Sequence, residues 1–73
     1  SVADVDVPAG FDRLTVSDQI LAVAQIVFTL TANSYLTRVQ ILQHGRPLPM
    51  PDQSGQLVSR PLSRADYASL ALV

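Results

Sequence analysis

The chain has no cysteine, no tryptophan, no lysine and no glutamate. Without cysteine there is no disulfide and no thiolate zinc site, although its absence says nothing about compartment. All five basic residues are arginine and all six acidic ones aspartate, a bias that fits G+C-rich codons and an actinobacteria-like composition. The net charge of −1 gives no steering toward nucleic acid or anionic lipid. Four aromatic residues, two Phe and two Tyr, do not interleave with the arginines, which argues against single-strand nucleic-acid binding. The longest apolar run, Ile20 to Leu30, is interrupted by Gln25 and Thr29. A bilayer span needs about 20 apolar residues, so this run predicts a core helix. The opening "SVADVDVP" lacks the basic and apolar regions of a secretory leader.

What is present is hydrophobic surface in periodic form. At 73 residues the chain is one domain at most, and 48% of it is hydrophobic; a domain this small buries only about 60% of its unfolded surface. "ADVDV" (3–7) alternates Ala3, Val5 and Val7 with Asp4 and Asp6, the period of a half-buried strand, ended by Pro8 and Gly10. "LTVSDQILAVAQIVFTLTAN" (14–33) predicts a long helix. Thr15 or Ser17 is its cap, Asp18 sits in its first turn, and Thr15-x-x-Asp18 approximates a capping box. Ile20, Val23, Val27 and Leu30 form one stripe, and Leu21, Ala24 and Phe28 widen it. The complementary face (Asp18, Ala22, Gln25, Thr29, Asn33) is narrow, so the helix is buried on two sides or bound to something.

"ANSY" (32–35) breaks the helix, and "TRVQILQHG" (37–45) then predicts a strand. In "RPLPMP" (46–51) the prolines recur at every second position. Their missing N–H groups then share one side, which suits an edge strand pairing only through the other; an unpaired polyproline-type loop is the competing reading. "DQSG" (52–55) is a turn, "QLVS" (56–59) a last short strand or a connector, and "PLSRADYASLALV" (61–73) a short terminal helix opened by Ser63-x-x-Asp66. The order β-α-β-β-α predicts an α+β fold. It has a small sheet of three short strands, the first two parallel across the helical crossover, with the long helix on one face.

These segments resemble the GerMN domain of spore-germination, sporulation and actinobacterial envelope lipoproteins. "DVDVPAGF" (4–11) is similar to the family's strand ending in an aromatic, and "AQIVFTLT" (24–31) to its helix. "RVQILQHGRPLPMP" (38–51) is similar to its strand and hairpin, usually written with Val-Asp-Gly, and "RPLSRADY" (60–67) to its closing segment. Family domains carry an earlier half before the position of Val2, so the resemblance implies that residues 1–73 are one GerMN-like domain lacking that half. His44 stands where the family often has Asp, which implies that position 44 is not a strict functional requirement. The resemblance further implies an extracytoplasmic, non-enzymatic assembly module of the cell envelope. Its anchor to the membrane would be a lipid outside this chain, it would need no cofactor, and its partners would be proteins or copies of itself.

No catalytic constellation stands out. His44 is the lone histidine and has no second ligand at metal-binding spacing. Asp4 and Asp6 share a strand face, but two carboxylates without an oxygen-rich loop make a poor calcium or magnesium site, so they read as a solvated face. There is no Gly-x-Ser-x-Gly elbow, no cleft signature for glycoside hydrolysis, and the three glycines are isolated. Arg38, Arg46, Arg60 and Arg64 are candidates for a cluster that holds an anionic envelope polymer or an acidic partner, with pairing to Asp52 and Asp66 as the alternative. Arg38, Arg46, Arg64 and Tyr35 are the expected partner-binding residues. The alternative function is a small glycan- or peptide-binding module, for which an exposed Tyr35 or Tyr67 beside an arginine would be the feature to find. The helix stripe exceeds what three short strands can cover, leaving the rest to an upstream segment that completes an ordinary core or to another chain.

Overall fold

The computed structural model describes residues 1–33 and 35–70. β1 (Val2–Asp6), a 3-10 turn (Phe11–Arg13) and α1 (Val16–Leu30) lead into β2 (Arg38–Gln43), β3 (Arg46–Pro47), β4 (Met50–Pro51), β5 (Leu57–Val58) and a terminal 3-10 helix (Arg64–Leu70). The architecture is the expected α+β fold: a three-stranded sheet in the order β1-β2-β3, one long helix and a short terminal helix. β1 and β2 are parallel, with Val2 opposite Arg38 and Asp6 opposite Leu42.

The helix starts where its cap predicts. Thr15 Oγ1 accepts the Asp18 N–H at 3.2 Å, and Asp18 places negative charge at the positive end of the dipole. At the other end the Thr31 hydroxyl donates to the Val27 carbonyl at 2.6 Å. Val23, Ala24 and Val27 face inward and meet Val39 and Ile41 of β2, with Val7, Met50, Leu62 and Tyr67 completing the core. Gln19 is also buried, its amide donating to the Phe11 carbonyl at 3.2 Å, and so ties the 3-10 turn to the helix. Phe28 is only half-buried, short of the core role its stripe suggests.

The proline stretch divides between two sheets. Arg46 and Pro47 pair with Gln43 and Leu42 as an edge strand, and Leu48 donates its N–H to the Ile41 carbonyl at 2.9 Å. Beyond Pro49 the chain leaves this sheet, and Met50–Pro51 pairs with Leu57–Val58, so "QLVS" contains a strand. The chain then returns to β2, where Leu62 and Val39 exchange two backbone bonds of 2.8 Å. Residues 46–48 and Leu62 thus share one edge of β2, opposite β1.

Turn chemistry fixes this route. His44 and Gly45 form a two-residue hairpin loop with φ of 53° and 74°, the pair of positive angles of a type I′ turn. Asn or Asp favours the first position of such a turn and His tolerates it. A Cβ on Gly45 meets no atom within 4 Å, so Gly45→Ala should cost only its left-handed backbone, about 1–2 kcal/mol, read by chemical unfolding. Around the β4–β5 loop the Asp52 carboxylate accepts from Ser54 N, Ser54 Oγ and Gln56 N at 2.9, 2.6 and 3.1 Å, while Gly55 takes φ of 88°.

The terminal element is a 3-10 helix kinked at Tyr67 rather than a regular α-helix. The Asp66 carboxylate accepts the Ser63 N–H at 2.8 Å, half of the expected capping box, and accepts from Arg60 Nη2 and Nη1 at 2.7 and 3.0 Å. Ala71, read as part of this helix, lies outside the described residues, as does Ser34 of the helix break. Arg60 hydrogen bonding holds the Asp66 carboxyl below the ordinary aspartate range, and the Ser54 hydroxyl does the same for Asp52. Groups with depressed folded values contribute stability at pH above the unfolded value, about 3.9, and lose it as the pH falls through the folded value. Unfolding midpoints should therefore drop below about pH 4, and Asp66→Asn should flatten part of that drop.

Candidate functional site

One surface open to a partner is formed by the outer edge of β1 and the flank of α1 turned toward it. The Val7 N–H donates to the Leu42 carbonyl at 2.8 Å. With the parallel register this directs the backbone groups of Ala3, Val5 and Val7 toward β2 and those of Val2, Asp4 and Asp6 outward. Among the described residues nothing bonds to that outward row. Five residues long, β1 is a free edge among the described residues, whereas β3 is two residues ending in proline. Asp4 and Asp6 are exposed, and neither makes a hydrogen bond among the described residues, while Ala3 and Val5 on the opposite face are half-buried.

The helix flank on this side is Ala22, Ile26 and Leu30. Leu62 bridges β2 on the edge away from β1, and the terminal helix that follows it packs on the α1 flank of Leu21, Ala24 and Phe28. The opposite flank is therefore turned away from the terminal helix, toward the β1 side. It lines a shallow hollow of about 430 Å³ with Gln25 and Thr29. From Gln19 to Asn33 the helix and its end carry no charged residue.

A second, deeper groove of about 640 Å³ runs between α1 and the terminal helix, lined by Leu21, Ala24, Phe28 and Leu70 with Gln25, Arg64 and Ser69. Leu21 remains 55% exposed there.

The expected partner-binding residues are spread over the molecule. Arg38 opens β2 and Arg46 lies opposite Gln43, roughly 16 Å further along at 3.3 Å per residue. Arg64 is already engaged at the end of α1. Its guanidinium lies 5.2 Å from the Phe28 ring centroid, Nη2 donates to the Phe28 carbonyl at 3.1 Å and Nε to Thr31 Oγ1 at 2.9 Å. A cation there also complements the negative end of the helix dipole. Arg60 takes the pairing alternative with Asp66. Tyr35 is 79% exposed, its N–H held by Asn33 Oδ1 at 2.9 Å.

Tyr67 does not supply the exposed ring beside an arginine that a ligand-binding module would show. It is fully buried and donates its hydroxyl to the Pro51 carbonyl at 2.7 Å, and burial raises its pKa far above the usual phenol value. His44 serves the hairpin turn. Among the described residues no group of three or more His, Asp or Glu side chains is placed to hold a metal ion, and no helix is long and apolar enough to cross a membrane.

The free edge of β1 was not singled out by sequence. Its signal was the alternation of residues 3–7 without any proline, beside a partner strand whose other edge the prolines occupy. Comparison of the chain with protein-family models, with curated proteins and with solved structures found no match.

Proposed function

We propose that this chain is a non-enzymatic, GerMN-like interaction module of an extracytoplasmic protein of the bacterial envelope, working by presenting a sheet edge and a helix face to protein partners. The observation that carries the reading is the unpaired outer edge of β1 beside the uncharged flank of α1. Exposed edges recruit strands. The residue resemblance supports it as well: its four segments fall on β1, on α1, on the β2–β3 hairpin, and on the strand-like return and start of the terminal helix.

Site-specific photocrosslinking in the parent bacterium tests the reading. A photoreactive residue in place of Ile26 or Asp4 should capture a defined envelope protein or a second copy, and one in place of Ser54 should not. Equal labelling from all three positions, or none, would contradict the reading. Light scattering across a wide concentration range tests self-association separately, which a strict monomer would remove.

The groove between α1 and the terminal helix favours a second reading, recognition of a small envelope glycan or peptide, because apolar clefts of this size with a few polar groups are ligand sites. Titration with peptidoglycan fragments should then shift the amides of Leu21, Gln25 and Ser69; an absence of localised shifts counts against it.

A further inference from the structure

We infer that the partner of β1 is an extended segment alternating basic and apolar side chains, which joins the sheet as a fourth strand. This rests on the interaction reading above and names the chemistry of its partner. Backbone groups of Val2, Asp4 and Asp6 point away from β2 and supply the ladder an added strand needs. On the outer face that strand would run beside Asp4 and Asp6, whose carboxylates make no hydrogen bond among the described residues. On the inner face it would run beside Ala3 and Val5, both half-buried, on the side to which the flank of Ala22, Ile26 and Leu30 is turned. Strand side chains alternate between faces, so one face calls for arginine or lysine and the other for valine-like residues. Opposite charges across neighbouring strands stabilise the pairing and like charges oppose it.

The same geometry disfavours a second copy at this edge. Antiparallel pairing of two β1 strands centred on Asp4 sets Asp4 against Asp4 and Val2 against Asp6, placing like charges together without neutralisation.

The experiment titrates the full chain with a short synthetic peptide alternating arginine and valine, and with its charge-reversed counterpart alternating glutamate and valine, following amide shifts and hydrogen exchange. The basic peptide should slow exchange at Val2, Asp4 and Asp6 and shift Ile26, while the acidic one leaves them unchanged. Asp4→Asn with Asp6→Asn should weaken the basic peptide roughly tenfold. Asp4→Pro removes only an outward N–H, a change edge strands tolerate, and should abolish binding while the core amides stay protected. Equal binding of both peptides overturns the charge assignment but leaves the interaction module standing. Shifts confined to Leu21, Gln25 and Ser69 overturn the edge as the site. No shift from either peptide overturns the proposal, and the crosslinking pattern then decides the broader reading on its own.

Discussion

Replacing Tyr67 with alanine is expected to bring the chain close to unfolding under ordinary conditions. The ring is fully buried among Met50, Leu62 and the inner face of α1, and deleting a buried aromatic costs about 3–5 kcal/mol. A domain of this length has roughly 4–11 kcal/mol in total, at about 0.05–0.15 kcal/mol per residue, so the loss takes much of the whole. Tyr67→Phe separates packing from hydrogen bonding: it keeps the ring but leaves the Pro51 carbonyl without its 2.7 Å donor, at a cost of about 1–3 kcal/mol. Urea unfolding of the two variants beside the parent chain checks both. Equal stability of the phenylalanine variant and the parent would mean that the hydroxyl does not fasten the terminal helix to β4.

The second large effect is a contrast between two leucine-sized side chains. Ile41 of β2 is 1% exposed and belongs to the core, whereas Leu21 of α1 is 55% exposed. Ile41→Ala should cost about 2–5 kcal/mol, while Leu21→Ala should stay within about 0.5 kcal/mol. The fold therefore makes little use of the Leu21 side chain. Comparable losses at both positions would remove that distinction.

Local pattern carried much of this architecture. Alternation at Ala3, Val5 and Val7 marked β1, and alternation at Val39 and Ile41 marked β2. Thr15 and Asp18 marked the start of α1, and the crossover rule then made the two strands parallel. Each of these depends on neighbours in sequence, where periodicity and capping act. What stayed hidden depends on distant partners. Nothing near Leu62 announces its bridge to Val39, and nothing near Tyr67 announces the carbonyl of Pro51.

The prolines misled in an instructive way. Read together they describe one edge strand, yet Pro47 belongs to the main sheet and Pro51 to the second, with Pro49 at the corner between them. The candidate site was legible only in outline. Surplus apolar surface on the helix was expected, but the free outer edge of β1 was not. Arg64, named for partner binding, is held by Phe28 and Thr31, because the carbonyls at a helix end draw a cation once the terminal helix brings it there.

Hydrogen exchange of the isolated protein tests the open edge most directly. If β1 has one partner only, the amides of Val5 and Val7 should exchange slowly and those of Asp4 and Asp6 at nearly the rate of an unstructured chain. Protection of Asp4 and Asp6 equal to that of Val5 and Val7 would mean that the edge is already covered, and the account of β1 as a docking strand would be contradicted.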